Sequence, residues 1–123
     1  MLAVHESFCE GFARRDAAAV IALFASDPGI VVVTSGDSVL EGPEELRGFL
    51  LRYAEGQVAY SWEWETRSAT LGADDAWVLA QGTEIATSET GEARHPYRMT
   101  MGMRKQGGEW LLMQVHGSSP EGA

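Results

Sequence analysis

The spacing of apolar residues changes period once along this chain, at Gly56, and that change limits the folds open to it. Before Gly56 the apolar residues recur at helical intervals. Val4, Phe8 and Phe12 repeat every four residues, which collects them on one face of a helix over about 2–14. Asp16 then reads as an N-cap, because its carboxylate can accept a hydrogen bond from a free amide of the next turn. A second helix over about 17–25 offers Val20, Leu23 and Phe24 to a core, and Asp27-Pro28-Gly29 stops it. Gly42-Pro43-Glu44-Glu45 opens a third. Proline suits the first helical position, where no amide hydrogen is needed, and two carboxylates favour the positive end of the helix dipole. Leu46, Phe49, Leu50 and Tyr53 continue that helix at i, i+3, i+4, i+7 spacing. Two short runs, 30–34 and 39–41, read as strands on either side of a turn at 35–38.

Beyond Gly56 everything reads as strand. Tyr60, Trp62 and Trp64 alternate with Ser61, Glu63 and Glu65, a period of two. Asp74-Asp75 turns the chain into a strand over 76–86, and residues 87–92 read as a polar connection. A strand over 97–105 meets one over 110–118 through a hairpin turn at Gly107-Gly108, and 119–123 is a short tail. Helices segregated from strands argue α+β architecture rather than alternating α/β. A sheet must bury one face, and the three helices are the only cover available. Four long twisted strands curl around that cover. Residues 1–123 fit one domain and leave no room for two.

Acidic residues outnumber basic ones 18 to 9, a formal charge of −9, and the basic residues are scattered apart from Arg14-Arg15 and Arg104-Lys105. That argues against nucleic acid, which calls for a basic face, and against anionic membranes. Met1-Leu2-Ala3-Val4 meets His5 and Glu6 at once, too short and polar a start for a signal peptide, so a cytoplasmic setting is expected. The lone Cys9 suits a reducing compartment and reads as a small buried hydrophobe. With His5, His95 and His116 scattered, no zinc spacing is present, and no glycine-rich phosphate loop precedes a helix. No metal, nucleotide or flavin cofactor is therefore expected.

Several short signatures, in order, resemble the NTF2-like superfamily and its SnoaL-like branch. They are Phe12-Ala13-Arg14-Arg15-Asp16 between the first two helices and Leu40-Glu41-Gly42-Pro43-Glu44-Glu45 at the start of the third. Asp75-Ala76-Trp77-Val78 opens a strand, and Arg98-Met99-Thr100, Arg104-Lys105, Trp110, His116-Gly117-Ser118 and Pro120 mark the closing hairpin. The tryptophan, histidine and serine of that hairpin are also similar to the end of the calcium/calmodulin-dependent protein kinase II association domain. The resemblance implies a cone-shaped cavity between the helices and the concave sheet face, and a homodimer. It implies no single activity, because isomerases, cyclases, dehydratases, epoxide hydrolases and non-catalytic adaptors share the fold.

Strict alternation in the last strand puts Trp110, Leu112, Gln114, His116 and Ser118 on one face, which by resemblance points into the cavity. Leu111, Met113 and Val115 take the other face. Beside Met99, Met101 and Met103 they form an outer apolar row that a homodimer would cover. A strict two-residue turn at Gly107-Gly108 pairs Met99 with His116, whereas a one-residue bulge pairs Thr100 with it. By resemblance His116 matches a pocket histidine, able to act as a base or only to hydrogen-bond a neighbour. Arg98 matches the family's arginine before the threonine Thr100, and either meets a ligand carbonyl or acid or pairs with Glu84 or Glu41. Glu84 is either a desolvated base or a solvated edge charge. Trp62 faces the helices as core or ligand platform, and Tyr53 can bring its hydroxyl to the cavity mouth. The aspartate sets of ketosteroid isomerases and epoxide hydrolases, and the aspartate that the family's dehydratases pair with histidine, have no match here.

Two functions follow as expectations. The first is a small-molecule domain for an apolar ligand carrying a carbonyl or acid. Arg98, Gln114, Ser118, Thr100, Trp62 and Tyr53 would touch that ligand. Cofactor-free isomerisation, cyclisation or dehydration would run through His116 or Glu84, with Arg98 beside the enolate. The second is a non-catalytic binding or assembly module.

Overall fold

The computed structural model describes residues 1–36 and 38–120. Asp37, expected in the turn 35–38, and residues 121–123 of the expected tail lie outside the described residues. The elements run α1 (Leu2–Ala13), α2 (Ala17–Ile21), β1 (Val31–Val33), β2 (Val39–Glu41), α3 (Gly42–Glu55), β3 (Ala59–Leu71), β4 (Asp75–Ser88), β5 (Gly91–Gln106) and β6 (Glu109–Ser118). The strands form one curved, open sheet in the order β2-β1-β6-β5-β4-β3, antiparallel except for β1 against β6. The helices cover its concave face, giving the expected α+β cone.

The helix boundaries have local causes. Asp16 caps α2, its carboxylate accepting from the Ala19 amide at 3.1 Å. Pro43 occupies the first turn of α3, and the Glu45 carboxylate reaches back to the Glu41 amide at 2.8 Å. The second helix is shorter than its spacing predicts. Leu23 and Ala25 leave it to exchange backbone hydrogen bonds with Leu112 of β6, at 2.8 and 2.9 Å. Sheet pairing outcompetes one more helical turn there, and Phe24 stays buried in either geometry.

The connection expected over 87–92 is much tighter. Thr87 pairs with Glu92 and Ser88 with Gly91, so β4 and β5 form one long hairpin. Its register sets Glu84 directly opposite both His95 of β5 and Trp62 of β3.

Alternation holds over 75–81 of β4 and 96–104 of β5, and is interrupted at Glu84 and Ile85, which are both buried. Ala76, Val78, Ala80 and Glu84 of β4 are buried, as are Tyr97, Met99, Met101 and Met103 of β5. These join Phe8, Val20, Ile30, Leu46, Leu50, Leu112 and Val115 in the core. The outer apolar row expected of Met99, Met101, Met103 and Val115 is therefore corrected: all four point inward.

The methionines follow the unbroken alternation of β5, with Met103 opposite the core-facing Leu112, and Val115 is turned inward by a β-bulge in β6. The Gly107-Gly108 turn pairs Gln106 with Glu109, and strict pairing continues to Met103 opposite Leu112. Gly102 then pairs with Gln114, leaving Met113 unmatched. One extra residue inverts the parity of everything after it. Leu112 faces the core before the bulge, and Val115 and Gly117 face it after. A second bulge, at Glu65 between Trp64 and Thr66, bends β3. Its partner Gly82 admits no side chain, because a Cβ there would meet the Glu63 carbonyl and the Trp64 backbone.

Candidate functional site

Between the helices and the sheet lies a cavity of about 640 Å³. Phe8, Val32, Met99 and Val115 make its deep wall, and Phe12, Phe49, Trp62 and Tyr97 its aromatic sides. Phe12 stacks on Tyr53 at 4.4 Å between ring centroids, and Trp62 lies over Trp64 at 6.1 Å. The walls are thus a connected aromatic lattice, stiff and apolar.

Into this lattice Glu84 projects a carboxylate that is only 5% exposed as a residue. Its oxygens are both engaged. Oε1 lies 2.9 Å from His95 Nε2, and Oε2 accepts from the Trp62 indole N–H at 3.1 Å. Burial raises the Glu84 pKa above the usual carboxylate range, against the opposing charge of His95 and the two hydrogen bonds. His95 is 38% exposed in its side chain and stands between the carboxylate and solvent. A proton can therefore pass from Glu84 to the surface through one imidazole.

Tyr97 is the second polar group of the interior. Burial, with the nearby Glu84 charge, pushes its phenol up to about 12, so it remains a hydrogen-bond donor at all ordinary pH. It fits because residue 117 is glycine: a Cβ there would coincide with the Tyr97 hydroxyl.

Sequence reasoning placed its candidates unevenly. Glu84, Trp62 and Tyr53 do line the cavity. The Tyr53 hydroxyl is already committed, donating to the Phe12 carbonyl and accepting from the Tyr60 amide, both at 2.8 Å. It ties α1, α3 and β3 together. Arg98, Thr100, Gln114, His116 and Ser118 are all exposed and do not line the cavity. That corrects the expected pocket face. Thr100 pairs with His116, as the bulged register requires, but both then face away from the helices. Gln114 and Ser118 follow the same inverted parity, and Arg98 lies opposite Ser118.

His95 and Tyr97 were missed. The usable signal for Tyr97 was its place in the alternation with Met99, Met101 and Met103. His95 had none, because its role depends on the length of the β4–β5 hairpin.

A buried histidine lies apart from this cavity. His5 is fully buried on α1, its Nε2 3.6 Å from Cys9 Sγ and its ring 5.2 Å from Trp64. Arg67, paired with Glu6 at 2.9 Å, abuts its other nitrogen at 3.5 Å. Burial first, and Arg67 second, lower the His5 pKa to about 4. Burial likewise pushes the Cys9 thiol up to about 12, which makes it a packing group rather than a nucleophile.

Among the described residues no helix is long and apolar enough to cross a membrane. A search of curated proteins found no matching relative. Solved structures match in fold. A provisionally assigned dehydratase of the NTF2-like family from Streptomyces avermitilis superposes with a TM-score of 0.85 at 16% identity, over 96% of this chain and 92% of that one. A ketosteroid isomerase-like protein from Erwinia carotovora atroseptica gives 0.74 at 24% identity, over 96% and 92%. A provisionally assigned calcium/calmodulin-dependent protein kinase II association domain from Xanthomonas campestris gives 0.80 at 20%, over 99% and 86%. Such identities establish the fold alone. The model of the SnoaL-like domain matches residues 1–121. The chain belongs to the SnoaL-like domain family and has the NTF2-like fold.

Proposed function

We propose that the protein binds a small apolar carbonyl compound in the cavity and moves a proton on it, as an isomerase, cyclase or dehydratase. One observation carries this: a buried carboxylate, Glu84, held by Trp62 and linked to solvent by His95 in an otherwise apolar chamber. Its raised pKa makes it a stronger base than a solvated glutamate, and its burial excludes competing water. Glu84 takes a proton from the carbon beside the ligand carbonyl. The C–H electron pair moves into the carbonyl, and the resulting enolate oxygen accepts a hydrogen bond from Tyr97. Return of the proton at another carbon gives isomerisation; attack of the enolate carbon on a second carbonyl of the same ligand, whose oxygen takes the proton from Glu84, gives cyclisation; loss of a β-hydroxyl, which takes that proton and leaves as water, gives dehydration. Of the two bases expected, His116 and Glu84, the reading keeps Glu84, and the place beside the enolate expected of Arg98 goes to Tyr97.

A non-catalytic ligand-binding or assembly module is the second reading. It is favoured by both Glu84 oxygens being occupied already, and by Trp77 and Leu79, 52% and 39% exposed, on the outer face of β4. Under either reading we propose a homodimer through that outer face.

The test is proton exchange at the α-carbon of 2-acetylnaphthalene in deuterium oxide, followed by NMR. Wild-type protein should accelerate exchange, and Glu84→Gln should lower the rate by roughly two to four orders of magnitude while binding persists. Binding without exchange would leave the module reading.

A further inference from the structure

The cavity has one cationic group that the proton-transfer chemistry does not use. Arg52 lies in the last turn of α3 and lines the cavity with Phe49 and Tyr53 of the same helix. Among the described residues it makes no ion pair and no side-chain hydrogen bond. Arg14, Arg47 and Arg98 are likewise unpaired among the described residues, but Arg52 is the arginine that lines this cavity. Arg67, Arg94 and Arg104 each hold a carboxylate, and Arg15 holds the Gly56 carbonyl. Arg52 is exposed, so it marks the rim, and the hydroxyl-bearing Thr34 and Ser35 of the β1–β2 connection line the same cavity.

The cavity therefore has two charged features of different character. The interior carries the Glu84 carboxylate beneath His95, and a free guanidinium stands at the mouth. An anionic group on a ligand is repelled by the first and drawn to the second, where a planar guanidinium can meet a carboxylate with two parallel hydrogen bonds. A ligand with an apolar body and one carboxylate would enter carbonyl first.

Building on the proton-transfer reading, we propose that the ligand is a carboxylated apolar ketone and that Arg52 is the residue that selects and orients it by its carboxylate. Arg52 is a positioning group: it reads the end of the ligand away from the reacting carbon.

The experiment compares two probes of one shape, 2-acetylnaphthalene and 6-acetyl-2-naphthoate, at pH 7.5 by quenching of tryptophan fluorescence. Wild-type protein should bind the carboxylate about ten- to a hundred-fold more tightly, the range of one charge-assisted contact. Arg52→Gln should abolish that preference by weakening 6-acetyl-2-naphthoate, and Arg52→Lys should keep part of it. Equal affinity of the wild type for both probes would overturn the Arg52 proposal and leave the cavity reading standing. So would a preference that survives in Arg52→Gln; a lowered melting temperature alongside it would mark Arg52 as only a cation at a helix C-terminus. Failure of both probes to bind wild-type protein would overturn the cavity reading and this proposal with it.

Discussion

His5 and Glu84 are both buried titratable groups, yet their contributions to stability run in opposite directions with pH. An imidazole with a pKa of about 4 when folded and 6.5 when unfolded binds its proton more tightly in the unfolded chain. Its contribution is complete above the unfolded value and is lost as pH falls toward 4. The loss amounts to roughly 3 kcal/mol, at about 1.4 kcal/mol per pH unit. Thermal melts from pH 7.5 to 4 should show that limb, and His5→Gln should flatten it. Glu84 has a raised folded pKa, so the stability it contributes is present below the ordinary carboxylate value and lost as pH rises through the folded one. Glu84→Gln should therefore melt no lower than wild type at neutral pH. Gln can still accept from the Trp62 indole and donate to a neutral His95. A marked fall in melting temperature would show that the carboxylate is held for structure rather than poised for chemistry.

Among the elements, β6 has the largest consequence per residue. Met113 is one unmatched residue, and leaving it unpaired decides which side chains of 114–118 see the cavity. Deleting it would let strict pairing run through the strand with Gln114 and His116 still outward and Val115 and Gly117 still inward. That variant should fold and melt cooperatively, because no side chain of 114–118 changes face; loss of folding would contradict the register described. Gly117→Ala is a second probe of the same strand. Its methyl group collides with the Tyr97 ring and hydroxyl, so it should cost about 1–3 kcal/mol by overpacking. It should also weaken 2-acetylnaphthalene binding by displacing Tyr97 from the cavity. Unchanged stability and binding in the Gly117→Ala variant would contradict the packing described. Strand length mattered as much as parity. Reading 87–92 as a loop left His95 outside any element, whereas the full hairpin lays it across from Glu84.

For the molecule as a whole, the outer sheet face is not the methionine row expected from alternation but a mixed surface in which Trp77 and Leu79 are the exposed apolar groups. If that face joins two copies, Trp77→Glu should shift light scattering from dimer to monomer mass at micromolar concentration, since an unpaired charge would be buried. A wild-type monomer would remove the assembly from the reading. The order of elements, the helix starts at Asp16 and Gly42-Pro43, the Gly107-Gly108 turn and the fold they build were legible in the sequence. Each depends on neighbours a few residues apart. Local spacing turned Trp62 toward the helices and Tyr53 toward the cavity mouth, but it left Glu84 open between a desolvated base and a solvated edge charge, because the face of its strand was not fixed by its neighbours. The sequence did not determine the register of β6 against β5. A bulge is a choice between two pairings that differ by one residue, and the packing of the whole core decides it. Leu112 is held between Leu23 and Ala25 on one side while Val115 and Gly117 make room for Tyr97 further along. Both fits can be met only if Met113 is looped out. The chain thus encoded its elements locally. Which histidine stands at the cavity, His95 or His116, was decided by contacts between residues far apart in sequence.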